Sequence, residues 1–409
     1  MSRSIPRPIW LLGWVSLATD AATEAIYPVL PFFLTQVLGA GAVSLGVIEG
    51  AAEAVNSVLK IMSGRAADRL PKKRPLVLFG YGVSSLARPF MAIATSWTQV
   101  LTVRILDRVG KGIRTAPRDA MLATWATPDI RGRVFGFHRG MDNLGAVVGP
   151  LLATAFLFFH PGQYRTLFAL TIVPGALAVA LILLVREDGR PAANLENPAN
   201  LENPANLRNL GNLGNLEIPV PLPRSFKQFM LVLGLFTLGN STDAFLLLRL
   251  TEAAGGARFV PLMWAALHVV KASVSMAAGS WSDRIGRRTV IAVGWLIYAI
   301  VYGGFALSSS LTMLVAWFMM YGFYFGFAEG TEKALIADLA PARSRGLAFG
   351  LYNAVLGFGG LGASVIFGLV WQQFGAPAAF GLGSAVALLS TVLLFVVVPA
   401  GAAYTERRL

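Results

Sequence analysis

Twelve apolar stretches divide this chain, at about 9–38, 43–63, 75–95, 98–122, 132–158, 164–185, 226–250, 259–281, 289–308, 311–337, 346–372 and 377–399. A helix needs roughly 20 mostly apolar residues to cross the hydrocarbon of a bilayer. Inside that layer every backbone N–H and C=O must be paired, so only helices or a closed barrel can span it. The alternating polarity of barrel strands is absent, which leaves a helical bundle. Composition agrees: 13% of residues are charged and 55% hydrophobic, with mean hydropathy +0.63, against about 25% charged in soluble proteins. The first stretch is not a cleavable signal peptide, because Asp20 and Glu24 interrupt it and the apolar run continues beyond them. The chain is read as an all-α integral membrane protein.

The net charge of +13 would suit a nucleic-acid binder, but such binders are charge-rich, so nucleic acid is excluded as a partner. The charge reports topology instead. Of 34 Lys and Arg residues, 21 fall at the termini and in alternate loops, including Arg3, Arg7, Lys72, Lys73, Arg74, Arg186, Arg224, Arg287, Arg407 and Arg408. The opposite loops hold only Arg165 and Arg258. The positive-inside rule then places both termini in the cytoplasm, in a multi-pass protein of the cytoplasmic (inner) membrane with some attraction to anionic lipid. The absence of cysteine excludes disulfides, thiolate metal sites and cysteine nucleophiles. His138, His160 and His268 are scattered, Gly110 and Gly112 are followed by no G-K-[ST], and Glu329-Gly-Thr-Glu332-Lys333 has no histidine spaced with it. No metal, cofactor or enzyme chemistry is expected.

The chain also repeats itself. Segment 2 ends in Gly64-Arg-Ala-Ala-Asp68-Arg69-Leu-Pro71-Lys72-Lys73-Arg74, and segment 8 in Gly279-Ser-Trp-Ser-Asp283-Arg284-Ile-Gly286-Arg287-Arg288, 215 positions later. Arg131-Gly132-Arg-Val-Phe135-Gly136 returns as Arg345-Gly346-Leu-Ala-Phe349-Gly350, 214 positions later. Between the copies, Ala193-Asn194-Leu195-Glu196-Asn197-Pro198 recurs from Ala199 and degenerates from Ala205, as a flexible spacer would. The domains are therefore a six-helix bundle over 1–188, a cytoplasmic low-complexity linker over 189–224, and a second six-helix bundle over 225–409. Two parallel six-helix halves with the G-x-x-x-D-R-x-G-R-R signature in both resemble the major facilitator superfamily of secondary transporters. Pro71 stands where the first copy of that signature usually has glycine. The resemblance implies twelve transmembrane helices in two pseudo-twofold bundles, acting as a monomer. It also implies a gating motif at Gly64, Asp68, Arg69, Gly279, Asp283 and Arg284. Asp68 would face the start of segment 11 and Asp283 the start of segment 5, latching one access state through helix N-termini; the alternative is a plain basic anchor.

Charge in the bilayer centre costs about 2.5–3.5 kcal/mol on insertion scales, so charged helices should face protein or water. Segments 6, 9, 11 and 12 carry no charged side chain in their interiors, and segment 3 only Arg88. The charges concentrate in segments 1, 2, 4, 5, 7, 8 and 10, and the resemblance likewise makes helices 1, 4, 7 and 10 central. Candidates for the substrate path are Glu49, Glu53, Asn56, Arg104, Asp107, Arg108, Lys111, His138, Asp142, Asn240, Asp243, Lys271 and Glu329. Glu49, Glu53, Asn56 and Lys60 share one helix face, as do Arg104, Arg108, Lys111, Thr115 and Arg118. Each charge has a second reading as half of a structural ion pair.

Segment 5 carries Gly145, Gly149 and Pro150, similar to the antiporter motif of proton-coupled drug and metabolite exporters in this superfamily, with Ala153 and Thr154 where two glycines would complete it. Packing alone also explains such small residues. Asp20 and Glu24 lie one turn apart in segment 1; two such carboxylates repel when both are ionised, so one is expected to carry a transportable proton. Alternatively, one of them pairs permanently with Arg104 or Arg108. The expected function is proton-coupled export of a small organic solute by alternating access. Arg104, Arg108 and Lys111 should attract an anionic or zwitterionic part of the substrate, which keeps proton-coupled uptake of an organic anion as the rival. A non-transporting membrane receptor is the alternative of another class.

Overall fold

A computed structural model describes residues 5–70, 72–125, 131–187, 222–340 and 345–399, without the side chains of 65, 67–69, 123, 131–133, 135–136, 275–284, 337 and 345–347. Each of the twelve segments is helical, and their boundaries follow local chemistry. Segment 1 is a helix over Arg7–Ile26 that loosens into short turns, Tyr27–Val29, Leu30–Phe32 and Phe33–Val37. Pro28 and Pro31 cause this, since neither has an N–H to continue the ladder. Segment 2 is Ala42–Arg69. Segment 3 is Arg74–Ala87, tightened after Arg88 by Pro89 into Arg88–Ile93. Segments 4 and 5 are Trp97–Trp125 and Arg131–Phe159, and segment 6 is Tyr164–Leu170 followed by Ile172–Leu184.

The second half begins with segment 7, which is two helices, Arg224–Gly239 and Ala244–Ala254, separated by an unwound Asn240–Asp243. Segments 8, 9 and 10 are Val260–Ile285, Arg287–Leu307 and Leu311–Leu339. Segments 11 and 12 run together over Arg345–Val397 and divide at Gly375, whose φ of 83° only glycine adopts freely, just before Pro377. By length and composition eight of the described helices can cross a membrane, the joined segments 11 and 12 counting as one. Segments 1, 4 and 8 fall outside that set. Segment 1 breaks early at its prolines, and segment 4 is rich in charge. The linker expected over 189–224 lies almost wholly outside the described residues.

Packing repeats across the halves. Segments 1 and 5, 2 and 4, and 3 and 4 pair in the first half; 7 and 11, 8 and 10, and 9 and 10 pair in the second. The halves meet along segments 2 and 11 and segments 5 and 8, which the same pseudo-twofold exchanges. Segments 3, 6 and 12 turn large apolar side chains outward, among them Phe79, Leu86, Phe90, Val173, Leu184, Leu389, Val392 and Val396. That is the composition of a lipid-facing surface. Several charges are buried in the interior instead, among them Glu49, Arg88, Arg104, Asp107, Arg114 and Glu332.

Candidate substrate cavity

Between the halves lies a cavity of about 550 Å³, within the range that holds a drug-sized molecule. Segments 1, 2 and 4 wall it on one side, and segments 7, 8, 10 and 11 on the other. Of the residues singled out from sequence, Glu24, Glu49, Glu53, Arg108, Lys111, Asn240, Asp243, Lys271 and Glu329 line it. Asp20, Asn56, Arg104, Asp107, His138 and Asp142 are not among its lining residues. Lys60, read from sequence on the same helix face as Glu49 and Glu53 but not among the path candidates, lines it too, and sequence reasoning left out Tyr27, Trp264, Tyr324, Glu332 and Tyr352.

The wall of the first half is held by ion pairs. Arg104 grips Glu49 with two bonds, Nε to Oε1 at 3.0 Å and Nη2 to Oε2 at 2.7 Å. Arg88, the lone charge of segment 3, points inward and donates to Asp107 Oδ1 at 2.9 Å, while Arg108 reaches the other oxygen at 3.4 Å. Arg104 and Asp107 are each only 2% exposed, where a bidentate, fully paired arrangement is what makes burial of charge tolerable. Neither arginine pairs with Asp20 or Glu24. Thus the basic stripe of segment 4 is partly neutralised, and Arg104 is spent on Glu49.

Segment 1 packs on segment 5 through the glycines of the antiporter-like motif. A Cβ on Gly145 would lie 2.5 Å from the Leu17 carbonyl oxygen and 3.0 Å from Asp20 Cβ. One on Gly149 would lie 2.3 Å from the Ala21 carbonyl oxygen. No larger residue allows this approach, so the spacing is explained by close packing, and what it packs against is Asp20. Asp20 itself makes no hydrogen bond or ion pair among the described residues. One turn behind, Asp142 accepts a bond from the Ser16 hydroxyl and sits 3.6 Å from His138 Nδ1. Arg118 donates to Ser16 at 3.3 Å and to Asp119 at 3.0 Å.

The wall of the second half is held by neutral donors instead. Four tyrosines address the unwound stretch of segment 7. Tyr298 donates to the Gly239 carbonyl at 3.0 Å and Tyr321 to Asp243 Oδ1 at 2.7 Å. Tyr302 and Ser241 share a bond of 3.1 Å, and Tyr324 accepts from Asn240 at 2.8 Å. Glu332 accepts from the Trp295 indole at 2.9 Å and the Tyr352 hydroxyl at 3.2 Å. Glu329 instead pairs with Lys333 at 3.0 Å and, across the halves, with Arg139 at 3.7 Å. The signal that could have pointed to this wall is the close spacing of Tyr298 with Tyr302 and of Tyr321 with Tyr324, beside the polar run Asn240-Ser-Thr-Asp243. Within apolar helices it reads as ordinary core.

Contacts between the halves concentrate at the end of the bundle away from the termini. Gly46 lies under the Ser364 carbonyl, where a Cβ would come within 2.2 Å, and Gly50 under Leu361 within 2.8 Å of its Cα. Arg258 donates to the Phe158 carbonyl at 3.2 Å. Trp264 of segment 8 donates its indole N–H to Glu24 Oε2 at 2.8 Å, and Tyr27 meets Thr242 at 3.3 Å. Toward the termini Glu53, Arg139 and Lys333 are exposed, and the cavity opens that way. Of the gating motif, the side chains of Asp68, Arg69, Asp283 and Arg284, and the surroundings of Gly279, lie outside the described residues, and a Cβ on Gly64 would make ordinary contact with Ala116 at 3.6 Å. Among the described residues no group of three or more His, Asp or Glu side chains is arranged to hold a metal ion.

A family model described as Major Facilitator Superfamily matches residues 10–266 and 229–408. An uncharacterised MFS-type transporter of Methanocaldococcus jannaschii is 30% identical over 399 residues, spanning 96% of this chain and 95% of that one. Multidrug resistance protein MdtH of Cronobacter sakazakii is 27% identical over 342 residues, 82% of this chain and 79% of its own. Among solved structures, a POT family transporter in complex with 5-aminolevulinic acid superposes with a TM-score of 0.77 at 13% identity, covering 96% of both chains. A bacterial homologue of the human lysosomal transporter Spinster, in an inward-facing and unoccupied conformation, gives 0.70 at 16% identity, covering 96% of this chain and 95% of that one. At such identities the structural likeness is one of fold.

Proposed function

This chain belongs to the Major Facilitator Superfamily and is a membrane transporter, and we propose that it exports a small organic solute across the cytoplasmic membrane in exchange for protons. The halves 1–188 and 225–409 rock about the cavity, tethered by 189–224. With both termini in the cytoplasm, as the loop charges require, the present state is open inward. The Asp68 and Asp283 loops latch the opposite state.

One observation carries the coupling. Glu24 lies in the cavity wall of the first half, and its carboxylate is tied to Trp264 of the second half at 2.8 Å. A hydrogen bond to an ionised carboxylate is about twice as strong as a neutral one. Ionised Glu24 therefore favours closure at the far end, and a proton arriving there weakens the tie. Asp20, one turn away and packed against Gly145, is the second carboxylate able to receive that proton. Exchange rather than co-transport is supported by the likeness of segment 5 to the antiporter motif and by similarity to a multidrug resistance protein.

Inside-out membrane vesicles test direction. With an acidic interior, an exporter accumulates solutes from a radiolabelled panel of organic anions, cations and neutral compounds, and chemical collapse of the gradient releases them. Accumulation only in right-side-out vesicles would mean uptake, and no gradient dependence would reject proton coupling.

A further inference from the structure

The six carboxylates of the cavity wall are already engaged: Glu24 by Trp264, Glu49 by Arg104, Glu53 by Asn56, Asp243 by Tyr321, Glu329 by Lys333, and Glu332 by Trp295 and Tyr352. The cations are not all so placed. Lys60 and Lys111 line the same cavity, and neither has an acceptor or ion-pair partner among the described residues. They are also forced together. Segments 2 and 4 approach so closely here that a Cβ on Gly112 would lie 2.6 Å from Leu59 Cβ, and Ser63 donates to the Gly112 carbonyl at 2.7 Å. Lys60 and Lys111 are the chain neighbours of Leu59 and Gly112, so the contact brings the backbones that carry them together, and both side chains line the one cavity. Arg108, one turn from Lys111, adds a third cation whose one partner among the described residues, Asp107, is held more closely by Arg88. Glu53 faces all three, while Asp20 also lies near Lys111 and Glu329 near Lys60.

Like charges brought together in a partly desolvated cavity repel strongly unless an anion sits between them. We propose that this corner is the substrate's anchor. It takes the carboxylate or sulfonate of an organic anion, whose aromatic or apolar body lies against Tyr27, Trp264, Tyr324 and Phe325 across the cavity. Arg104, the first arginine of the same stripe, takes no part because Glu49 neutralises it. This inference rests on the reading of the cavity as a transport site, and is independent of the direction of transport and of the proton.

The test is direct binding to purified full-length protein at low ionic strength, by titration calorimetry, with 2-naphthoate, 2-naphthalenemethanol and 2-naphthalenemethylamine as probes. The acid is expected to bind at least about tenfold more tightly than the alcohol or the amine. Lys60→Gln and Lys111→Gln should each remove most of that preference while leaving the unliganded unfolding temperature near that of wild type. Lys111→Arg, which keeps the charge, should retain the preference and serves if a glutamine variant fails to fold. Equal binding of the amine, no measurable binding of the acid, or an undiminished affinity in both glutamine variants would each overturn the proposal. Gradient-driven export of some other solute, found alongside any of those results, would leave the transport reading standing and remove only this anchor.

Discussion

The two halves of this transporter solve one problem by different chemistry. Each must present polar groups to a cavity in mid-membrane, and each repeats the same helix pairings. The first half holds its wall with arginine–carboxylate pairs, Arg104 with Glu49 and Arg88 with Asp107. The second uses phenol and indole donors on the unwound stretch of segment 7 and on Glu332. Paired charges are rigid and costly to break singly, because the abandoned partner is left buried and uncompensated. Bonds from neutral donors in a membrane interior are worth less, averaging about 0.6 kcal/mol in measured cases, with those to Asp243 and Glu332 strengthened by the carboxylate. The first half should therefore be the stiffer frame. The second should tolerate rearrangement around Asn240–Asp243, where segment 7 is already unwound.

The largest predicted effect breaks that contrast from the ionic side. Arg104→Met should destabilise the protein by about 3–5 kcal/mol by stranding Glu49, and adding Glu49→Leu should restore most of the loss. Reversible unfolding in detergent would measure both; a double variant as unstable as the single one would show that packing, not charge, sets the cost. Next comes the contact of segments 1 and 5. Gly149→Val forces a side chain against the Ala21 backbone and should cost about 1–3 kcal/mol, with transport falling further than stability because Asp20 is displaced. On the neutral side, Tyr302→Phe should cost only about 0.5–1.5 kcal/mol, and Tyr321→Phe, whose partner is the Asp243 carboxylate, about 1.5–3 kcal/mol. A loss as large as that of Arg104→Met would erase the distinction between the halves. Smallest is Arg139→Gln. Arg139 is 66% exposed and 3.7 Å from Glu329, so thermal stability should change by less than about 1 kcal/mol.

Much of this was legible from residues alone, for identifiable reasons. Twelve apolar stretches became twelve helical segments because backbone pairing inside lipid leaves little choice. The division near 372–377 fell at Gly375 because glycine and proline punctuate helices wherever they occur. Charge content marked segments 1, 2, 4, 7, 8 and 10 as cavity-lining, since desolvation acts on every charge regardless of its partner. It missed segment 11, which lines the cavity without a charge, and it included segment 5, none of whose described residues lines it. Partner choice was not legible. The stripe on segment 4 offered Arg104 to Asp20, Glu24 or Glu49 alike, and only the packing of segments 1, 2 and 4 brings Glu49 to it. The tyrosines of segments 9 and 10 were passed over for a similar reason. Their spacing is that of a core, and their use depends on a loosened stretch of segment 7 far away in sequence.

The account turns on whether the charge of Glu24 sets the access state. Because the chain has no cysteine, a spin-label pair can be placed across the open end, one label in each half, without background, and the distance distribution followed with pH. Acidification should weaken the Glu24–Trp264 tie and move wild type toward the state closed at that end. Glu24→Gln and Trp264→Phe should both lose that pH response, while Glu49→Gln serves as the ionic control. A pH response in Glu24→Gln and Trp264→Phe equal to that of wild type would contradict the coupling proposed here.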